Sequence, residues 1–129
     1  MNRIVLDASA LLAYLHGEPG SEDVAPVLER ASLSSLNFAE VLQRAVAAGV
    51  KVEGLREDLE AVGVVIEPFS AEDAEIVANL YKATQPLGLS LGDRACLGLA
   101  LRLKAPALTA DRTWAQLKIP GVEIRLIRS

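Results

Sequence analysis

Four acidic residues stand where a folded chain could bring carboxylates together. Asp7 directly follows a short apolar run, residues 3–6, that predicts a buried strand, and Asp111 comes two residues after another such run. Asp93 lies in the first turn of a strongly apolar helical segment, and Glu40 lies within an amphipathic one. Open parallel sheets bind ligands beyond the carboxyl ends of their strands, so acids placed there can share one sheet edge.

A cluster of four carboxylates would bind cations. Carboxylates within a few ångströms of one another repel, so the group must hold protons or a positive ion. Oxygen ligands select hard ions, here Mg²⁺ or Mn²⁺. Such an ion makes a bound water more acidic and offsets charge on phosphoryl oxygens. The sequence therefore predicts metal-dependent hydrolysis of a phosphodiester, in which water attacks and a ribose 2′-hydroxyl is not the nucleophile.

Each acid also has a purely structural interpretation. Asp7 and Asp111 could each cap a following helix, since Asp is a favoured N-cap residue. Ser90 and Asp93 have the spacing of a capping box, in which the two side chains bond each other's backbone. Glu40 has no cap to make and could be a solvated surface charge. The functional hypothesis therefore depends on the four acids converging.

Other reactive side chains give weaker signals. His16 is the only histidine, and its place before Gly17 indicates an interaction with a helix C-terminus. Cys96 is the only cysteine and lies among apolar neighbours, which predicts inert packing and permits no internal disulfide. Trp114 is expected in the core. The sequence contains no nucleophile–histidine pattern and no glycine-rich phosphate loop.

The elements that must position these acids alternate between strand and helix patterns. Together they predict an α/β fold in which a mainly parallel sheet is covered by helices on both faces. Several helices between the first two clear strands indicate an order that is not a simple alternating series. Strands are predicted at residues 3–6, 64–68, 107–109 and 122–127, with a brief one near Leu33, and helices at 8–15, 21–30, 36–48, 52–62, 71–84, 91–103 and 112–117.

Length and composition limit the class of protein. The 129 residues fit one domain, 1–129, and 51% hydrophobic residues against 23% charged ones are typical of a globular chain. The apolar runs are too short for a membrane span or a signal peptide, so a cytoplasmic location is expected. The net charge of -4 is unusual for a non-specific nucleic-acid binder. A cation-binding acid cluster would bias the charge in the same direction, so nucleic acid stays open as a substrate.

Four short motifs, in this order and at this spacing, resemble the PIN-domain family. The likeness is strongest to the VapC ribonuclease toxins of VapBC toxin–antitoxin pairs, and it covers essentially the whole chain. The motifs are Val5-Leu6-Asp7-Ala8-Ser9-Ala10-Leu11-Leu12, Asn37-Phe38-Ala39-Glu40-Val41, Ser90-Leu91-Gly92-Asp93-Arg94 and Leu108-Thr109-Ala110-Asp111-Arg112.

The resemblance implies a PIN-like three-layer fold and a Mg²⁺- or Mn²⁺-dependent endoribonuclease. It also implies a homodimer and neutralisation by a VapB-type antitoxin. Asp7, Glu40 and Asp93 match the family's core acids, and Asp111 matches a more variable fourth. The hydroxyl side chains of Ser9 and Thr109 are assigned positions beside these acids.

Three arginines are candidates for contacts with RNA phosphates. Arg44, Arg94 and Arg112 each lie within four residues of a candidate acid. They could instead pair with those acids or with surface acids. Two other functions remain open besides the toxin: an RNA-processing PIN nuclease without an antitoxin, and a catalytically silent PIN-like binding module.

Overall fold

A five-stranded parallel sheet organises the chain. The computed structural model describes residues 2–127. The strand order is β3-β2-β1-β4-β5, and every pairing between neighbours is parallel. The strands are β1 (Ile4–Leu6), β2 (Ala31–Ser34), β3 (Val65–Glu67), β4 (Ala107–Thr109) and β5 (Ile124–Leu126).

Helices fill the connections between the strands. The α-helices are α1 (Ala8–Leu15), α2 (Ser21–Val24), α3 (Ser35–Ala47), α4 (Leu55–Ala61), α5 (Ala71–Asn79), α6 (Tyr81–Thr84) and α7 (Leu91–Leu103). Short 3₁₀ helices span Ala25–Arg30, Gln85–Leu87 and Arg112–Gln116. No helix within residues 2–127 is both long and apolar enough to cross a membrane.

The predicted α/β fold is confirmed, with differences at helix ends and breaks. The helix predicted over 52–62 begins only at Leu55, because Gly54 adopts a left-handed conformation, φ 84°. The segment predicted as one helix over 71–84 divides at Leu80 into α5 and α6. Pro26 lies at the start of the 3₁₀ helix that follows α2, where its missing N–H is tolerated.

The strand order is that of a doubly wound sheet. The chain steps outward from β1 through β2 to β3, then returns to place β4 on the other side of β1. The connections are not single helices, as expected, since three helical segments separate β1 from β2, and the brief strand predicted near Leu33 is a full member of the sheet. The order reverses between β1 and β4, and a crevice opens at the carboxyl ends of two such strands.

Alternation along the strands divides the core into two layers. Ile4 and Leu6 point to one face and pack in a cluster with α1 to α4, while Val5 points to the other face. Val5 shares its cluster with α7 and the fully buried Trp114, so this tryptophan is a core residue as expected. The sheet is therefore the middle of three layers.

A partly buried ion pair joins α5 to α7. Arg102 donates from Nε to Asp73 Oδ1 at 2.8 Å, and Asp73 also completes a capping box with Ser70. Burial alone would raise the pKa of Asp73, but hydrogen bonds from Ser70 and Arg102 outweigh it and lower the pKa. Arg102 therefore has a structural role in the contact between α5 and α7.

Candidate active site

The four candidate acids line one pocket. The cavity has a volume of about 400 Å³ and opens at the reversal point of the sheet, beyond the carboxyl ends of β1 and β4. Asp7 follows β1, Asp111 follows β4, and α3 and α7 contribute Glu40 and Asp93. Residues separated by as many as 104 positions therefore meet in space because four different elements end or pass at the same edge.

Asp7 is the buried member of the set, with 3% of its surface exposed. Its Oδ1 accepts hydrogen bonds from Ala10 N at 2.9 Å and from the Ser9 hydroxyl at 2.8 Å. Its Oδ2 accepts one from the Thr109 hydroxyl at 2.6 Å. Burial outweighs these bonds and, with a smaller contribution from the charge of Asp93, raises the pKa of Asp7 to about 6. A nearby cation would favour the charged form.

Ser9 and Thr109 connect Asp7 to the opposite wall of the pocket. Ser9 Oγ accepts a hydrogen bond from Ala110 N at 3.0 Å, and Thr109 Oγ1 accepts one from Asp111 N at 3.0 Å. The two hydroxyl oxygens lie 3.3 Å apart. Both residues expected beside the acids therefore contact Asp7, and through them the loops after β1 and β4 hold each other in register.

Asp93 and Asp111 are oriented by the backbone that they cap. Asp93 Oδ2 accepts from Ser90 N at 2.9 Å, and Asp93 N donates to Ser90 Oγ at 3.1 Å, which forms the capping box of α7. Asp111 Oδ1 accepts from Thr113 N at 3.0 Å at the start of a 3₁₀ helix. Capping and pocket lining are thus compatible, because a cap fixes a carboxylate at the helix end that faces the cavity.

Glu40 is neither a cap nor a fully solvated charge. Its Oε1 accepts a hydrogen bond from Asn37 Nδ2 at 2.8 Å, and the same amide donates to Gly92 O at 2.9 Å. The carboxylate occupies the space that a side chain at position 92 would need, closer than van der Waals contact to an added Cβ. Gly92 therefore leaves room for Glu40 beside Asp93, and Asn37 fixes its direction.

Asn37 and Gly92 stand within the sequence motifs, but their positions in those motifs did not predict a role for either residue. Two signals could have found them. Asn37 precedes Glu40 by three residues on a helix, a spacing at which side chains meet. A glycine in the first turn of a helix costs stability, which indicates a close approach by another group.

Cys96 lies in the core behind the acids, close enough for their charges to affect the pKa of its thiol. The thiol is fully buried, and that burial raises its pKa well above the usual range. The charges of Asp7, Asp93 and Glu40 raise it further, in that order. Cys96 is therefore an unreactive packing residue, as expected, and negative potential extends from three of the acids into the core behind them.

The donor set fits a hard divalent cation. Every charged donor among the four acids is a carboxylate oxygen, which suits Mg²⁺ or Mn²⁺. As the side chains stand, no three His, Cys, Asp or Glu residues within 2–127 have spacing that could hold a metal ion. Mg²⁺ usually binds through one or two carboxylates and keeps several waters, so it needs a roomy acidic pocket and no closed cage.

The arginines and the histidine occupy different positions around the pocket. Arg44 and His16 line it, so the histidine at the end of α1 lies nearer to the acids than its helix-end position indicated. Arg94 donates to Leu89 O at 2.9 Å and lies over the ring of Tyr81, 5.3 Å from its centroid. Arg112 is exposed at the start of a 3₁₀ helix.

The fold and the pocket together define a class. This is a doubly wound α/β protein with an acidic crevice where the strand order reverses. A family model described as PIN domain matches residues 4–120, and the chain belongs to the PIN family, whose members are in general nucleases. No curated protein sequence shows significant similarity to it.

Several solved structures share the fold. A toxin–antitoxin complex from Klebsiella pneumoniae is 21% identical over 92% of this chain and 94% of that chain, with a TM-score of 0.68. DNA-bound VapBC from Salmonella typhimurium is 15% identical over 98% and 99%, with a TM-score of 0.66. VapBC-5 from Mycobacterium tuberculosis is 20% identical over the whole of both chains, with a TM-score of 0.60.

Proposed function

We propose that this chain is a Mg²⁺- or Mn²⁺-dependent endoribonuclease of the VapC toxin type. One observation carries the proposal: four carboxylates from four separate elements line a single pocket, and the least exposed of them, Asp7, has its pKa raised to about 6. Such a group holds either protons or a cation, and a buried carboxylate that titrates close to neutral pH can exchange its proton for a metal ion. Membership of a family whose members are in general nucleases supports hydrolysis of a phosphodiester as the chemistry that such a cation would serve.

The side chains that line the pocket have different proposed roles. Asp7 and Asp93 would hold the ion, with Glu40 and Asp111 completing the negative pocket around it. When bound, the ion makes water a better nucleophile at neutral pH and offsets charge on the phosphoryl oxygens. Ser9 and Thr109 keep Asp7 oriented by donating to both of its oxygens. Arg44 lines the same pocket and is the best placed of the three arginines to contact a phosphate.

The toxin assignment adds a partner to the nuclease. The VapBC structures of similar fold contain toxin–antitoxin pairs, which supports a VapB-type antitoxin for this chain. A homodimeric assembly is part of the same proposal and rests on the sequence resemblance alone. The alternatives are an RNA-processing nuclease with the same site and no antitoxin, and a silent binding module. A small upstream gene whose product co-purifies with this chain would favour the toxin, and a silent module would leave RNA intact.

The decisive experiment is to map RNA ends after brief expression and with the purified chain. Hydrolysis should require Mg²⁺ or Mn²⁺, stop in chelator, and leave 5′-phosphate and 3′-hydroxyl ends, because water is the attacking group. Asp93→Asn should reduce the rate by several orders of magnitude while the fold persists. Asp23→Asn, which neutralises an exposed acid on α2, is the matched control and should cleave normally. Cleavage in excess chelator, or 2′,3′-cyclic ends, would exclude this mechanism.

A further inference from the structure

A second pocket lies at the opposite edge of the sheet, and it is basic. Its cavity of about 480 Å³ is lined by Arg3, Arg30, Lys104 and Arg125, and Glu123 is the single acid among the described residues around it. The whole chain, in contrast, has 17 acids against 13 lysines and arginines. Glu123 offsets one cation, since Arg125 Nε donates to its Oε2 at 2.6 Å. The other three cations have no acidic partner among the described residues and repel one another, so the pocket is suited to an anionic ligand.

The cations form a row along the amino ends of four neighbouring strands. Arg30 directly precedes β2, Arg3 directly precedes β1, Lys104 precedes β4 by three residues, and Arg125 lies in β5. These strands are adjacent in the order β2-β1-β4-β5. Neighbouring strands are about 4.8 Å apart, so the row spans roughly 14 Å. A row of this length fits a linear polyanion better than a single small anion.

Two of the arginines are held in place by neutral acceptors. Arg3 Nε donates to Ser32 Oγ at 3.1 Å, and its guanidinium also donates to Ala31 O. Arg30 Nη1 donates to Asn2 O at 3.1 Å. A guanidinium has five N–H donors, so both retain several for a ligand. Arginines that are fixed in this way lose little freedom when they bind a phosphate.

Lys104 occupies a position where glycine would fit with less strain. It is the only non-glycine residue with positive φ in the described part of the chain, at 54°, and it caps the end of α7. Its side chain makes no hydrogen bond or ion pair with the described residues. Attraction to the carbonyl end of α7 explains why a cation stands at position 104. The same attraction does not explain the three arginines, which lie at the amino ends of three other strands.

We infer that this row, the basic edge, binds the phosphodiester backbone of single-stranded RNA. The inference rests on the proposed function, which supplies RNA as the polyanion. The acidic pocket itself repels RNA, and nucleic-acid affinity comes largely from cations that neutralise phosphates. The arginine forks match the geometry of phosphate oxygens. The basic edge would thus hold the strand whose cleavage takes place at the opposite edge.

The test measures RNA affinity of the full-length chain in EDTA over a range of salt concentrations. The double variant Arg30→Gln with Lys104→Gln removes two cations of the basic edge. Arg56→Gln with Lys51→Gln removes one exposed arginine and one exposed lysine elsewhere and is the matched control. The slope of log affinity against log salt is negative, and the site variant should make it less negative by roughly 1.4, as two lost phosphate contacts predict. The control should leave it unchanged.

Two further variants separate binding from folding. Lys104→Gly should melt at or above the wild-type temperature, because it relieves the left-handed backbone, and should still bind RNA more weakly. The pair Arg30→Lys with Lys104→Arg keeps both charges and should keep the wild-type salt slope. Equal slopes for the site variant and the matched control would overturn the inference.

The ligand and the proposed function are tested separately. Competition by inorganic phosphate as effective per phosphate as RNA would reduce the site to a single-anion pocket and overturn the inference. Tighter binding of duplex DNA with the same dependence on Lys104 would assign the row to DNA and overturn it as well. Cleavage by the wild type in Mn²⁺ tests the proposed function. Binding in EDTA does not depend on it, so either can fail alone.

Discussion

At the scale of single residues, Asp7 is the most constrained group of the candidate site. It is almost completely buried, and all three of its hydrogen bonds come from neutral donors. Burial raises its pKa from 3.8 to about 6, so the folded chain retains a proton that the unfolded chain loses. The contribution of Asp7 to stability is therefore fully present below about pH 4 and is lost as pH rises through about 6. Above that range, the charged carboxylate costs about 3 kcal/mol in metal-free protein.

Asp7→Asn should remove this cost. The metal-free variant should be more stable than wild type above about pH 6 and close to it below about pH 4, since Asn cannot ionise. The amide can donate to Thr109 Oγ1, whose hydroxyl then turns towards Ser9. Urea unfolding in EDTA across this pH range measures the difference. Equal stability of variant and wild type at every pH would contradict it, and Asp23→Asn on the surface should show no such pH dependence.

At the scale of elements, the contact between α3 and α7 brings Glu40 beside Asp93. The approach is close because Gly92 has no side chain, and the amide of Asn37 spans the two helices. Gly92 is tolerated in the first turn of α7 because the absence of a side chain leaves space for the Glu40 carboxylate. Glu40 and Asp93 are therefore positioned by one helix pair, whereas Asp7 and Asp111 depend on the sheet.

Gly92→Ala should displace the Glu40 carboxylate without unfolding the chain. The group in the way is the end of a flexible side chain, which can rotate aside, and alanine favours the helix. Mn²⁺ affinity should fall roughly 10- to 100-fold, as when a supporting contact of a metal site is lost, and the melting temperature without metal should hold. Gly98→Ala on the same helix is the control, because its Cβ would meet Ile76 and not the acids. Wild-type Mn²⁺ affinity in Gly92→Ala would show that Glu40 takes no part in the site.

At the scale of the whole molecule, the chain separates opposite charges between the two edges of one sheet. The acids gather at the carboxyl ends of the strands, and the basic edge lies at the amino ends. We expect the clustered acids to destabilise the metal-free fold, because unfolding separates them. A metal that binds only the folded state should reverse this effect.

Four melts test that coupling: wild type and Asp93→Asn, each with and without Mn²⁺. Without metal, Asp93→Asn should melt above wild type, since one repulsive charge is gone. At 100 times the dissociation constant, Mn²⁺ should stabilise wild type by roughly 2.7 kcal/mol. For a chain of 129 residues, that is a shift on the order of 10 °C. The shift should be much smaller for the variant. A lower metal-free melting temperature for Asp93→Asn, together with equal shifts in both proteins, would separate this acid from the cation site.

The sequence alone determined several of the elements and the set of acids. Helix α1, helix α7 and strand β4 lie where periodicity and capping residues predict them, because those signals are local: apolar spacing, an N-cap side chain, a helix stop. The capping interpretations of Asp7, Asp93 and Asp111 were also correct as geometry, since each cap spans only two or three residues. The proposed metal-binding roles of the four acids remain predictions.

The tertiary structure decided which distant residues come into contact. Neither the strand reversal between β1 and β4 nor the bond from Thr109 to Asp7 has a local signal. Gly92 in the first turn of α7 indicates a close approach, but only the packing of α3 against α7 shows that Glu40 makes it. The same holds for the basic edge, whose cations come from four strands and show no clustering along the chain. The hydrogen bonds among these groups join residues from 29 to 102 positions apart. They form only when burial of the whole core sets the sheet order and the helix packing.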